Sequence, residues 1–325
     1  MPAENNATPL VDVVGVGLNA TDTLIRLPHF PAFDSKVEFQ SADVRAGGQV
    51  ASAMVACRRW GLSTRYIGKV GDDAAAELQR EEYAREGVEA HLLAVPGCMS
   101  QVAFILVDQG SGERTILWKR DPRLELRPEE IERDWIVRAR ALHVDGHDTA
   151  AAAAAARWAC EAGIPVTADI DNLYPGVEAL LENVDCLLAS RDFPARLTRE
   201  ADLLRSLLAI QRRYGCRVAG VTLGRQGALA WDGGRFHYSP AYRVDAVDTT
   251  GAGDIFHGGF VYALLQGWPL SRALDFSCAA AALACTALGA RGGIRPVAEI
   301  ERLMREGPRH EPAYEPTELE RAASR

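Results

Sequence analysis

DTTGAGDIFHGGF, Asp248 to Phe260, sets two carboxylates and four glycines into thirteen residues immediately before an apolar helical pattern. TGAG supplies a turn whose consecutive N–H groups point one way, because glycine accepts the dihedral angles such a nest needs. The helix then begins, and its first-turn N–H groups lack partners and carry the positive end of the helix dipole. Gly251, Ala252 and Gly253 are therefore expected to cradle an oxyanion, with Asp254 at the mouth of the cradle. A carboxylate beside an anion hole suits phosphoryl transfer to an alcohol: the base takes the hydroxyl proton while the amides stabilise the transferred group. Gly258 and Gly259 predict that the helix approaches the sheet or a nucleotide closely, and Gly267 with Pro269 ends it. The competing reading of the short motif is a helix start complemented by one acid, with glycines that serve only a tight turn.

Working outward, a strand-like AYRVDAVD precedes this turn, and short β-rich runs alternate with helical ones along most of the 325 residues. VDVVGVG, TRYIGKVG, ALHVDG, IPVTADID, VDCLLAS and RVAGVTLG read as strands, separated by segments of helical length such as AGGQVASAMVACRRWG and ADLLRSLLAIQRRYG. That alternation predicts one α/β domain with a mostly parallel sheet and helices on both faces. Two early segments, roughly 22–46 and 100–119, instead alternate apolar and polar residues at period two. They predict a small antiparallel sheet standing off the main one as a flap over a cleft or as an interface. Residues 1–10 form an N-terminal extension, 11–307 the domain, and 308–325 a polar, Pro-broken tail that is either a loose helix or disordered.

The totals exclude several classes. A formal net charge of −8 offers no diffuse basic field for nucleic acid. Seven scattered cysteines without a CxxC spacing favour reduced thiols over disulfides or a zinc site. The start MPAENNATPL has neither a basic nor an apolar leader, and no segment reaches the length of a membrane span, so a cytoplasmic, membrane-free location is expected.

With both motifs in view, the sequence resembles the ribokinase-like carbohydrate kinases, the PfkB family. DTTGAGDIFHGGF looks like the family's C-terminal signature and AGGQVASAMVACRRWGLSTRYIGKVGDD like its N-terminal one, and the resemblance runs in matching order from Val11 to about Pro296. It implies an ATP-dependent sugar kinase with a β lid, Mg2+, a lid-mediated homodimer, and Asp254 as catalytic base with Gly251, Ala252 and Gly253 as anion hole. VTLGRQGALAW resembles the turn beside the nucleotide phosphates, with Thr222, Gly224 and Gly227 as contacts. FSCAAAALACTALGA would flank adenine through Cys278 and Ala282. Asp22 falls where the family binds sugar hydroxyls, and Gly47, Gly48 and Gln49 match the turn that closes over the sugar. A carboxylate suits a polyol because it accepts from two adjacent hydroxyls. Asp248, Thr250, Ala284, Ala287 and Gly289 match a backbone-carbonyl site for a monovalent cation, K+. Asp145 and His147, in the strand end ALHVDGHD, are further candidates to touch the sugar, at the end of the sheet where ligands bind.

Three departures from the family pattern stand out. The usual asparagine after the GG pair is Ser52, the NxxE associated with magnesium appears as SRDF at Ser190 to Phe193, and the side-chain ligand of the cation site falls at Gly293. Asp192 is the residue of SRDF able to act on magnesium through water. Three other functions compete. VVGVGLNA contains GxGxxA after a strand, the mark of a dinucleotide-binding dehydrogenase, but the Pro-broken TDTLIRLPHFPAF follows where that fold needs a helix. A non-catalytic sugar or nucleotide sensor on the same scaffold is compatible with the altered SRDF. A nucleoside kinase of the same fold would use the same base and anion hole.

Overall fold

The computed structural model describes residues 10–323; the first nine residues of the expected N-terminal extension, and the last two of the tail, lie outside the described residues. The thirteen strands are β1 (Val11–Val16), β2 (Ala20–Leu27), β3 (Ser41–Gly47), β4 (Thr64–Val70), β5 (Glu89–Ala94), β6 (Val102–Asp108), β7 (Arg114–Lys119), β8 (Ala139–Asp145), β9 (Val166–Ile170), β10 (Cys186–Ser190), β11 (Val218–Thr222), β12 (Ala228–Trp231) and β13 (Phe236–Ser239). The helices are α1 (Gln49–Arg59), α2 (Ala74–Glu86), α3 (Arg133–Val137), α4 (Thr149–Glu161), α5 (Val177–Leu181), α6 (Phe193–Thr198), α7 (Leu203–Tyr214), α8 (Ala252–Leu265), α9 (Leu270–Ala284), α10 (Val297–Glu306) and α11 (Pro316–Ala323).

Nine strands form one sheet in the order β13-β12-β11-β10-β9-β8-β1-β4-β5, parallel from β5 through β11, with β12 and β13 added antiparallel at one edge. Successive residues of a strand point to opposite faces, which decides where the core lies. Val14 and Val16 pack with α4, α5 and α7 on one face; Val13 packs with α1, α8 and α9 on the other. The strand order reverses at β1, which lies between β4 and β8. Open α/β sheets bind ligands beyond the carboxyl ends of the strands at such a point. The C-terminal residues of β8 to β11, Asp145, Ile170, Ser190 and Thr222, accordingly line up along one rim.

The remaining four strands form the lid, in the order β3-β2-β6-β7. Its register sorts the side chains. Asp22, Leu24, Ala103, Ile105, Val107, Arg114, Ile116 and Trp118 share one face, whereas Thr23, Val44, Phe104 and Leu117 share the other. Leu24, Ile105 and Val107 are buried with Leu288 packed against them, so the first face looks into the cleft. The alternation read over roughly 22–46 is strand only at its two ends, β2 and β3. Residues 28–40 are instead irregular and mostly exposed, because Pro28 and Pro31 remove ladder donors.

Two further expectations are corrected. AYRVDAVD is not a strand: beyond Pro240 it keeps only the isolated bridge Tyr242–Arg309, and Val247 and Asp248 donate to the Cys285 carbonyl beyond the end of α9. Gly258 and Gly259 face neighbouring helices rather than the sheet. A side chain at 258 would meet Ala53 and Ala56 of α1, and one at 259 would meet Ser277 of α9, so the pair lets three helices pack closely. The tail carries α11, whose Leu319 is buried against the core.

Candidate functional site

Gly251 is the N-cap of α8 at φ 77, and an added Cβ would lie 2.4 Å from the Ala290 Cα. The position therefore demands glycine both for its dihedral and for its neighbour. The N–H groups of Gly251 and Gly253 have no protein acceptor among the described residues, and nothing lies within 4 Å of where a Gly253 side chain would stand. The Ala252 N–H, expected to be bare as well, is turned back 3.3 Å onto the Thr249 carbonyl, because the turn into the helix closes on itself. The cradle thus has two open donors rather than three.

Asp254, in the first turn of α8, makes no hydrogen bond to protein among the described residues and remains partly accessible. Burial pushes its carboxyl well above the usual range; Asp169 and Asp22 push the same way, and Arg114 and Arg291 oppose them. It is a carboxylate with a strong demand for a proton and no protein donor to meet it.

Asp22 faces the same gap from the lid. It is buried, and that burial raises its pKa to about 6, with Arg291 and Arg114 pulling down and Asp248 pushing up. Gly47 makes room for it, since a Cβ there would sit 2.0 Å from Asp22 Oδ2, and at Gly48, φ 99, a Cβ would press on the Leu18–Asn19 backbone. Gln49 Oε1 is sealed from solvent without a partner among the described residues. Ser52, in the place of the family's asparagine, holds a different group. The Arg291 guanidinium reaches Ser52 Oγ at 3.4 Å and donates to the Gly47 carbonyl at 3.0 Å, so an arginine supports the turn from beneath. No sequence signal marked Arg291, which lies far along the chain from the turn it supports.

Asp145 and His147 are less available than expected. Asp145 accepts the Leu18 N–H at 2.7 Å and the His147 N–H at 3.0 Å, a structural task that joins β8 to the loop after β1. The His147 ring faces the Tyr174 hydroxyl at 3.1 Å. At the other end of the rim Thr222 pairs in register with Ser190 of SRDF, and Gly224 and Gly227, at φ 57 and 92, form the turn after β11. Cys278 and Ala282 are buried on α9, with Cys278 Sγ 3.7 Å from the Ser239 carbonyl. Asp248 is fully buried; its two oxygens accept the N–H groups of Thr250 and Gly289, each at 2.8 Å, which ties the Asp248–Thr250 turn to the loop holding Ala284, Ala287 and Gly289.

The lid is latched to this machinery. Thr249 N–H and Oγ1 both donate to the Gly112 carbonyl at the tip of the β6–β7 hairpin, at 3.3 and 3.2 Å, and Arg114 Nη1 donates to Thr249 Oγ1 at 2.7 Å. At the base of β7, Arg120 bridges both oxygens of Asp148 at 2.8 Å. These contacts place a lid guanidinium beside the anion hole, a feature that periodicity could not announce.

Residues 12–296 match the model of the pfkB family carbohydrate kinases. The chain belongs to that family. The ATP-dependent ribose-1-phosphate kinase of Halopiger xanaduensis is 31% identical over 286 residues, 87% of this chain and 94% of the relative. The crystal structure of a provisionally assigned ribokinase from Agrobacterium tumefaciens superposes with a TM-score of 0.85 at 30% identity, over 91% of this kinase and 98% of that chain. A provisionally assigned ribokinase II from E. coli, solved with ATP and Mg2+, shares the fold at a TM-score of 0.79 and 22% identity, over 91% and 99%. This carbohydrate kinase therefore has the ribokinase-like fold, a nine-stranded sheet with a separate lid, and acts in ATP-dependent phosphorylation of sugar-like substrates. No helix among the described residues is long and apolar enough to cross a membrane.

Proposed function

We propose that the kinase moves the γ-phosphoryl group of Mg-ATP to a primary hydroxyl of a small sugar or sugar-like polyol, with Asp254 as general base. One observation carries this reading: a carboxylate unpaired with protein, its proton affinity raised, stands beside the open Gly251 and Gly253 amides of a helix N-terminus. Asp254 takes the hydroxyl proton as the acceptor oxygen bonds to phosphorus. The bond from phosphorus to the bridging oxygen breaks, and its electrons leave on ADP. The amides of the cradle, with Ala252 as the first residue of its helix, hold the charge on the moving group.

Asp22 orients the acceptor by accepting two hydroxyls, and the Gly47–Gln49 turn, backed by Ser52 and Arg291, closes over it. Asp145 and His147 shape the neighbouring wall rather than gripping the sugar. Thr222, Gly224 and Gly227 meet the nucleotide phosphates, and the α9 wall at Cys278 and Ala282 borders the adenine. No group of three or more His, Cys, Asp or Glu that could hold a metal occurs among the described residues, so magnesium fits as a passenger on the ATP phosphates, with exposed Asp192 reaching it through water. When bound, the ion would supply positive charge to offset that of the phosphates. Buried Asp248 has no cationic side chain paired with it among the described residues and ties the Thr250 turn to Gly289, and the backbone oxygens of Thr250, Ala284, Ala287 and Gly289 are of the hard type that suits K+.

The outward lid face exposes Val44, Phe104 and Leu117, each at least half accessible, which supports a homodimer through the lids. Phe104→Lys then yields a monomer in sedimentation; an unchanged mass rejects that interface. Seven free thiols fit a reducing, cytoplasmic setting.

The decisive experiment is ADP release from Mg-ATP with a panel of aldoses, ketoses, phosphosugars and nucleosides. Turnover with a sugar or phosphosugar supports the proposal. A nucleoside as the preferred acceptor supports the second reading, which one observation favours: Ile116 and Trp118 stand exposed on the cleft face of the lid, where an aromatic base could stack.

A further inference from the structure

Beside Asp254 lies a buried polar cluster that the transfer reaction does not itself use. Asp169 stands near the end of β9, and His257 follows Asp254 by three residues, so both project from the same stretch of α8. His257 Nε2 is 3.1 Å from Asp169 Oδ1, and both residues are under a tenth exposed. The His143 ring stacks on His257 at 5.8 Å between centroids, its Nδ1 2.9 Å from Thr167 Oγ1 and its Nε2 buried with no partner among the described residues.

We propose that Asp169 and His257 are a positioning pair for Asp254: the imidazole holds one fixed carboxylate next to the base and ties the base's helix to strand β9. The surrounding charges are few and can be named. Asp169 from β9, Asp22 and Arg114 from the lid, and Arg291 from the loop after α9 act on Asp254, and Asp169 is the strongest of them. On Asp169 itself burial pushes upward, but His257, 3.1 Å away, holds the carboxyl below its usual range, so it stays ionised. Burial, with His257 beside it, drives His143 down to about 3, which keeps that ring neutral and makes it a packing partner rather than a third charge. A negative charge held next to Asp254 strengthens it as a base, and the imidazole fixes where that charge stands.

The two members therefore act on the coupled carboxyls with opposite sign, Asp169 raising Asp254 and His257 lowering Asp169, which a merely structural pair would not do. The test is a pH titration of the whole protein labelled with 13C at the aspartate carboxyls, with Asp254→Asn used to assign the Asp254 resonance. Asp169→Asn is expected to lower the Asp254 midpoint by about one pH unit or more, and His257→Phe to raise the upper midpoint of the coupled carboxyls by a similar amount. His257→Gln, which keeps an N–H toward Asp169, should return it most of the way. Midpoints that stay fixed, or that move the same way in both variants, overturn the proposal. Circular dichroism establishes that each variant is folded, and if His257→Phe is not, the downward shift in Asp169→Asn decides alone. The inference rests on Asp254 as the base, yet the two fail separately. The titration needs no acceptor, so opposite shifts together with full turnover in Asp254→Asn support the pair and overturn only the base.

Discussion

The nine-stranded sheet is covered by helices on both faces, and the four-stranded lid is covered on one. At the first, Gly251 leaves no space for a methyl group and the Asp248 carboxylate clamps two loops; at the second, Val44, Phe104 and Leu117 on the outward face stand open to solvent. The cleft lies between them. Groups that must be held to fractions of an ångström, the cradle and the base, come from the doubly covered sheet. Groups that must move to admit an acceptor, Asp22 and Arg114, come from the singly covered lid. The difference teaches that the rigid half should govern the rate of the chemical step and the thin half should govern access, affinity and protection from water. Substitutions on each side can break that division.

The largest effect is expected at the base. Asp254→Asn should cut kcat by a hundredfold or more, with the melting temperature unchanged or raised, because a desolvated carboxyl is removed and no protein partner is lost. Steady-state kinetics and a thermal melt check both halves of the statement; unchanged turnover removes Asp254 from the chemistry.

Next comes Gly251→Ala. Its φ of 77 and the 2.4 Å approach to Ala290 Cα require the backbone itself to shift. A loss of about 1–3 kcal/mol in stability is expected, with kcat down by roughly tenfold to a hundredfold as the cradle is displaced. Gly253→Ala, with open space around it, should cost stability much less, so the pair separates strain from chemistry.

Much of the rigid half was legible in the sequence, and little of what joins it to the lid was. The β/α alternation exposed the parallel sheet because each strand is short, apolar and followed by a helix that must cover it. The cradle was legible because glycine, turn and helix start are neighbours in the chain. AYRVDAVD misled because alternation needs a partner strand to become β structure, and Pro240 sends the chain across the helix ends instead. Asp169 with His257, Arg291 with Gly47, and Arg114 with Thr249 are each far apart in sequence and carry no period of their own. Only the fold brings them together.

The latch sharpens the comparison further. Arg114→Ala removes the guanidinium that bonds Thr249 and faces Asp254, so kcat should fall about tenfold while ATP hydrolysis without acceptor rises relative to transfer. Arg114→Lys keeps charge but not the fork and should fall between. A variant that loses stability instead would assign Arg114 to the rigid half.

The smallest effect is a pH dependence set by Asp22. Burial raises its carboxyl to about 6, so an acceptor that needs both oxygens as acceptors meets a mostly protonated group at pH 5 and a mostly ionised one at pH 7.5. The acceptor KM should therefore fall several-fold across that window. Stability runs the other way. A carboxyl that binds its proton more tightly folded than unfolded contributes stability below its unfolded value near 4, and loses it as pH rises through about 6. Asp145, also raised to about 6 by burial, adds a contribution of the same sign, and carboxyls held low such as Asp169 oppose both. The contrast that isolates Asp22 is thus the difference between wild type and Asp22→Asn in urea midpoint, measured at pH 4.5 and 7. Wild type should lose ground to the variant on going to pH 7, because only the wild type must then keep a charge buried under the lid. If the difference is flat, Asp22 is solvated in solution, and the lid stands farther open than the Gly112–Thr249 and Arg114–Thr249 contacts imply.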